Sequence, residues 1–152
     1  MNKLDSKMKN LIANFNAGSV ASINTDGTPA VSPKATFVII DDSTIAFGDI
    51  RSPGTIENLK ARPQTEINFI DVIHRRAVRV SGTATIIKRN DSVWNELLPA
   101  FERLWKPYLH LMKHFVVINI EKASMVTSPG YDIGLTQEEL RSTNLNKLNN
   151  IY

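Results

Sequence analysis

The sequence predicts a mainly β protein, a small antiparallel barrel of six strands with short helices at its periphery. Three observations predict it. Six segments carry the apolar or alternating patterns of strands, and turn signals separate them at short intervals. The connections between the first three are too short for the crossovers that parallel strands need. The helical patterns between the others are brief.

The elements follow in order. Residues 5–16 read as a helix, because Met8, Leu11, Ile12 and Phe15 recur on one face. Asn16-Ala17-Gly18 stops it, with Gly18 expected in the left-handed position after the helix end. Ser19–Ile23 is the first strand, and Thr25-Asp26-Gly27-Thr28 is a hairpin turn. The run from Ala30 to Ile40 reads as one long strand interrupted at Pro33, which cannot donate to a ladder and marks an edge, a bulge or a place where something other than a strand sits alongside. Asp41-Asp42-Ser43 turns the chain into a third strand, Thr44–Phe47.

Ser52 to Leu59 opens a helix, with Ser52 as cap, Pro53 at the first helical position and Glu57 in the first turns; Pro63 ends it. Glu66–Val72 and Arg76–Ile87 are the next strands. In the latter Val78, Val80, Gly82, Ala84 and Ile86 share one face, and Arg79, Ser81, Thr83 and Thr85 the other. Ser92–Arg103 is helical, with Val93, Leu97, Phe101 and Leu104 as its expected buried stripe. Phe115–Ile120 is the sixth strand, apolar almost throughout and so expected at the centre. Beyond Ser128-Pro129-Gly130 the composition changes, and Thr136-Gln137-Glu138-Glu139 is a capping box for a last helix. Residues 1–125 are expected to form the barrel domain, and residues 126–152 a tail packed on the barrel or on a partner subunit.

The chain has 152 residues, enough for one domain with a sizeable core. Apolar residues make up 42% and charged residues 22%, which excludes the disordered class. Cysteine is absent, so disulfides, thiolate metal sites and a cysteine nucleophile are excluded. The uncharged run from Ala35 to Ile40 covers one strand and is too short to span a bilayer, so no membrane association is expected. Met1 to Lys7 lacks the apolar core of a signal peptide, which makes the cytoplasm the expected compartment. The net charge of +3 is mild. It suits a phosphorylated ligand better than nucleic acid, which calls for a denser basic patch.

Two stretches carry the chemistry. In Asp49-Ile50-Arg51-Ser52-Pro53-Gly54-Thr55 a strand runs through a short loop into a helix. The free N–H groups of that first turn and the positive end of the helix dipole make an anion site, to which Arg51 adds charge. The same pattern also starts an ordinary helix. In Val31-Ser32-Pro33-Lys34-Ala35-Thr36, Lys34 and Thr36 share a strand face among apolar neighbours. Such a lysine either snorkels to solvent or meets an anion.

Five segments in register carry a resemblance. They are Val20-Ala21-Ser22-Ile23 with Asp26-Gly27-Thr28-Pro29; Ser32-Pro33-Lys34; Ser52-Pro53-Gly54-Thr55-Ile56-Glu57-Asn58-Leu59 with Arg62-Pro63; Val78-Arg79-Val80-Ser81-Gly82-Thr83-Ala84; and Phe115 to Glu121. Together, over about residues 10–125, they resemble the pyridoxamine 5′-phosphate oxidase-like, FMN-binding split-barrel family. Tyr131-Asp132-Ile133-Gly134 with Glu138-Glu139-Leu140 resembles the tail of its small members.

The resemblance implies a six-stranded antiparallel split β-barrel, a homodimer, and non-covalent FMN at the subunit interface. It places the phosphate on the Ser52–Thr55 turn near Lys34, and the ring against the backbone of Pro33, Lys34, Ala35 and Thr36 and of Asp49, Ile50 and Arg51. Asn58 matches an asparagine one turn into that helix, and Ser32 precedes the ring-binding strand. Two departures stand out. True pyridoxamine phosphate oxidases carry an arginine-lysine pair where this chain has Gly54 and Thr55, and a glutamine where it has Ala77. Their C-terminal substrate-binding arginine and histidine are also missing, so oxidation of vitamin B6 is not expected. An oxidoreductase of another substrate is.

Other residues invite weaker readings. His110 and His114 are four apart, a helical metal-pair spacing, but no zincin glutamate lies between them and no metal is expected. Relatives of this barrel that bind haem or a deazaflavin keep those cofactors as alternatives to FMN. Arg75, Arg76 and Arg79 form the densest basic cluster and allow a nucleic-acid-binding barrel, yet their strand lacks stacking aromatics. Trp94, Trp105 and Tyr108 read as core or interface, with Trp105 or Tyr108 able to cover a flavin across a dimer.

Overall fold

The computed structural model describes residues 3–151; Met1 and Asn2, which open the N-terminal stretch read above, lie outside them. The helices are α1 (Ser6–Asn14), α2 (Pro53–Ala61), α3 (Ser92–Trp105) and α4 (Gln137–Asn149). The strands are β1 (Gly18–Ile23), β2 (Pro29–Lys34), β3 (Phe37–Asp41), β4 (Thr44–Asp49), β5 (Gln64–Asp71), β6 (Arg76–Lys88) and β7 (His114–Thr127). All pair antiparallel in one sheet of order β2-β1-β5-β6-β7-β4-β3.

The sheet has seven strands where the sequence predicted six. The run from Ala30 to Ile40 is two strands, because the chain changes partner within it. Residues of β2 pair with β1, those of β3 pair with β4, and these two edges of the sheet are joined only through Ala35 and Thr36. Thr36 marks the change: its hydroxyl donates to the Gly48 carbonyl at 2.8 Å and accepts from the Gly48 N–H at 3.0 Å. The chain itself thus links the two edges that β2 and β3 leave unpaired with each other.

The barrel interior holds Val20, Ile45, Ile67 and Val80, with Phe37 packed on Phe47 and Phe69 at centroid distances of 5.3 and 4.7 Å. Leu11 and Ile12 of α1 and Ile56 and Leu59 of α2 close it. A second cluster lies outside the sheet under α3. There Phe115 of β7 stacks between Trp94 and Phe101 at 3.7 and 3.9 Å, both nearly parallel. These stacks set the rotation of α3. Its buried stripe is Trp94, Leu97 and Phe101, whereas Val93 and Leu104, expected inside, are 37% and 56% exposed.

Two local expectations also change. Gly18 is not a left-handed cap; it is the first residue of β1, and a Cβ there would lie 2.8 Å from Phe69 and 2.9 Å from Phe37. The strand predicted at Phe115–Ile120 extends to Thr127, although it is central as expected. The capping box of α4 forms as read, with Thr136 and Glu139 exchanging hydrogen bonds. Among the described residues no helix is long and apolar enough to cross a membrane.

Candidate functional site

The site is built where β4 leaves the sheet and α2 begins. Ser52 is the N-cap residue and Pro53 takes the first helical position, where a missing N–H does no harm. The Ser52 carbonyl accepts from the Ile56 N–H at 2.9 Å. Its hydroxyl, expected to cap the helix, makes no capping bond. The first-turn N–H groups of Gly54 and Thr55 therefore keep their donor capacity at the positive end of the helix dipole.

Beside this turn lies a cleft of about 240 Å³, lined by Ser22, Asn24, Ala30, Ser32, Arg51, Ser52, Pro53, Gly54, Thr55 and Asn58. Six of the twelve residues singled out from sequence thus share one wall: Ser32, Arg51, Ser52, Gly54, Thr55 and Asn58. Segments distant in sequence meet because β2 pairs with β1, and α2 packs on β1. Asn58 makes that second contact, its amide donating to Ser22 Oγ and Asn24 Oδ1, each at 3.0 Å. Ser22 and Asn24 carry only a faint sequence signal, two polar residues spaced to share a strand face.

The other six do not line this cleft. Lys34 joins it indirectly, since its Nζ donates to Ser32 Oγ at 2.8 Å. Burial holds this ammonium below the ordinary lysine pKa, and the charge of Asp49 pulls the other way. Pro33 and Ala35 face outward on β2 and the following link. Thr36 is engaged with Gly48, and Ile50 packs against the cluster under α3.

Asp49 points elsewhere. It is 2% exposed, its Oδ2 lies 2.7 Å from His114 Nδ1, and its Oδ1 is buried with no partner among the described residues. The pair borders a second cleft, of about 360 Å³, on the other side of the Ser52-Pro53 turn, with Ile56, Glu57, Lys60 and Lys113. Sequence reasoning missed this partnership of His114, because the two residues are brought together only by the β4–β7 register.

The remaining candidates separate. His110 sits exposed in a 3-10 turn over Lys106–Leu111 and His114 on β7, so they share no helix. Among the described residues no group of His, Cys, Asp and Glu could hold a metal ion. The arginine cluster is divided among partners: Arg79 meets Glu66 at 3.3 Å, Arg76 meets Asp71 at 3.5 Å, and Arg75 reaches Asn144 at 3.4 Å. Trp94 is core, and Trp105 donates to the Phe37 carbonyl at 2.9 Å.

The family model described as pyridoxamine 5′-phosphate oxidase matches residues 4–127. The chain belongs to this family. HupZ of Group A Streptococcus has a similar fold, with a TM-score of 0.71 at 24% identity, covering 82% of this chain and 95% of that one. A Lactobacillus delbrueckii protein assigned by name to pyridoxamine 5′-phosphate oxidase gives 0.67 at 27% identity, with coverage of 82% and 95%. A pyridoxamine 5′-phosphate oxidase-related, FMN binding protein of Nostoc punctiforme gives 0.64 at 13% identity, with coverage of 82% and 85%. No curated protein sequence matches the chain. Within this family the barrel that β2 and β3 leave unpaired at their edges is the split barrel.

Proposed function

We propose that the protein is a flavoprotein that binds FMN non-covalently in the cleft at the α2 N-terminus and works as an oxidoreductase in a homodimer. The observation that carries this reading is the convergence of Ser32, Arg51, Ser52, Gly54 and Thr55 on one cleft. Membership of a pyridoxamine 5′-phosphate oxidase family supports it, as does the FMN-binding Nostoc relative.

The donor set fits a phosphate. Two first-turn N–H groups, the hydroxyls of Ser32 and Thr55 and the Arg51 guanidinium all border the cleft. A Cβ built on Gly54 meets nothing within 4 Å, so the turn stands open where a phosphate would approach. Arg51 and the Lys34–Ser32 pair stand in for the arginine-lysine pair that Gly54 and Thr55 replace. When bound, FMN supplies the electron chemistry. The chain's residues bind and orient it: Asn58 fixes α2 against β1, and Ser32 sets the Lys34 ammonium near the cleft.

The dimer has its own support. Val31 is 69% exposed on β2, with Pro33 beside it on the same outward face and Ile23 exposed on β1. A contiguous apolar strip next to a ligand cleft is the surface a second subunit covers.

The test is the absorption spectrum of the purified protein before and after adding FMN, with any cofactor released by heat and identified. Stoichiometric FMN that weakens on Arg51→Ala and Thr55→Ala is the expected result. A deazaflavin or haem in its place would transfer the reading to that cofactor, and a protein that ignores all three would overturn it.

A further inference from the structure

A cavity larger than either cleft lies under α1. It measures about 540 Å³ and shares no residue with them. Leu11 of α1, Phe15 at its C-terminal end and Met125 of β7 give it an apolar side continuous with the barrel core. Lys7, Asn10 and Asn14 of α1, with Asp71, His74 and Arg76 of the β5–β6 hairpin, give it a polar one. Polar residues outnumber apolar ones in this lining, and a volume within the range of about 300–1000 Å³, with polar groups converging beside an apolar patch, suits a small amphipathic ligand.

The charges decide the ligand class. Asp71 is already occupied by its own hairpin, accepting from the Ile73 N–H at 3.0 Å, the His74 N–H at 2.9 Å and His74 Nδ1 at 2.8 Å. Arg76 reaches it only through Nη2 at 3.5 Å, and Arg76 Nε is buried without a partner among the described residues. Lys7 forms no ion pair among them either. Lys7 and Arg76 against Asp71 leave one positive charge beside an apolar wall.

We propose that this cavity binds a small monocarboxylate with an apolar body. The carboxylate lies between Arg76 and Lys7, the body rests on Leu11, Phe15 and Met125, and the amides of Asn10 and Asn14 are within the same wall. A monoanion balances the excess charge, whereas a dianionic phosphate exceeds it. A planar guanidinium with unpaired N–H groups suits a carboxylate. The site is independent of the flavin reading, since it stands on different residues.

Calorimetric and amide-NMR titration of the whole chain with benzoate and hexanoate tests this, with benzamide as the uncharged match. Benzoate is expected to bind with one-to-one stoichiometry and to shift the amides of Leu11, His74 and Arg76. Benzamide, and benzoate on the Lys7→Gln variant, are expected to bind about tenfold more weakly. Lys7 is exposed, so that variant keeps the fold and separates charge from packing, while Arg76→Gln removes the second cation. Equal binding of benzoate and benzamide, wild-type affinity in Lys7→Gln, shifts confined to other residues, or no response to either acid would each overturn the proposal.

Discussion

Asp49 and His114 are register partners on β4 and β7, and their side chains meet at 2.7 Å between Oδ2 and Nδ1. Asp49 is 2% exposed and its second oxygen has no partner among the described residues, so this single hydrogen bond carries most of the compensation for a buried charge. Lys34 adds a weaker, longer-range attraction. The pair pins the end of β4 one step before the loop that presents Arg51 and Ser52 to the cleft.

Removing the imidazole alone strands the carboxylate. His114→Ala is expected to lower stability by about 3 kcal/mol, the range for breaking one side of a buried pair. Adding Asp49→Asn removes the stranded charge, so the double variant is expected to be more stable than His114→Ala. Urea unfolding of the wild type, the two single variants and the double variant reads the coupling. A double variant as unstable as the sum of its singles would show that the pair is not coupled.

The open turn at Gly54 predicts a gain of function. An added side chain meets no atom within 4 Å, and Gly54 does not hold a positive φ. Gly54→Ala is therefore expected to raise stability by about 0.5 kcal/mol through the unfolded chain. Gly54→Arg places a cation at the phosphate turn and is expected to tighten FMN about tenfold, read by fluorescence quenching of the flavin. Unchanged affinity for FMN would place the phosphate elsewhere.

Val31 tests the dimer. The residue is 69% exposed on an edge strand, so little of it is buried within the subunit. Val31→Asp is expected to leave subunit folding intact, within about 0.5 kcal/mol, while shifting the mass by light scattering from dimer to monomer. FMN affinity should fall with it if the cofactor lies at the interface. A wild-type monomer would remove the premise.

The strand periods, the hairpin at Asp26-Gly27 and the α2 start were legible because each depends on residues within one or two turns of chain. Gly27 holds a φ of 85° in that hairpin, as its turn pattern requires. The split between β2 and β3 was not legible, since Ala35 and Thr36 carry no breaker and the strand divides only because its partners change. The same holds for the site. The α2 turn and Ser32 were found by local chemistry, whereas His114 met Asp49 through strand register, and Trp94 replaced Val93 because Phe115 offered a ring to stack on.

Two glycines predict opposite tolerances. A Cβ on Gly82 would overlap the backbone carbonyl of Asn119 at the bulge between β6 and β7, where neither strand can retreat. A Cβ on Gly48 would overlap only the side chain of Met112, which is flexible. Gly82→Ala is expected to destabilise by about 3 kcal/mol and Gly48→Ala by about 1 kcal/mol. Thermal unfolding of both variants orders them, and the reverse order would contradict the β6–β7 packing.

Asp71 gives the acid limb of stability. Burial pushes its carboxyl pKa up, but the His74 N–H, the His74 ring and the Ile73 N–H outweigh burial and hold it below the ordinary aspartate value of 3.8. A folded pKa below the unfolded one means that the unfolded chain binds the proton more readily. The stabilisation is therefore complete above about pH 4 to 5 and declines as pH falls through 3.8 toward the lower folded value. Asp71→Asn keeps the shape and removes the titration. Its stability is expected to be lower than wild type at pH 7 and to converge with it as the pH approaches 3. Denaturant midpoints from pH 7 to pH 3 measure the difference, and parallel curves over that range would show that Asp71 does not hold the hairpin through its charge.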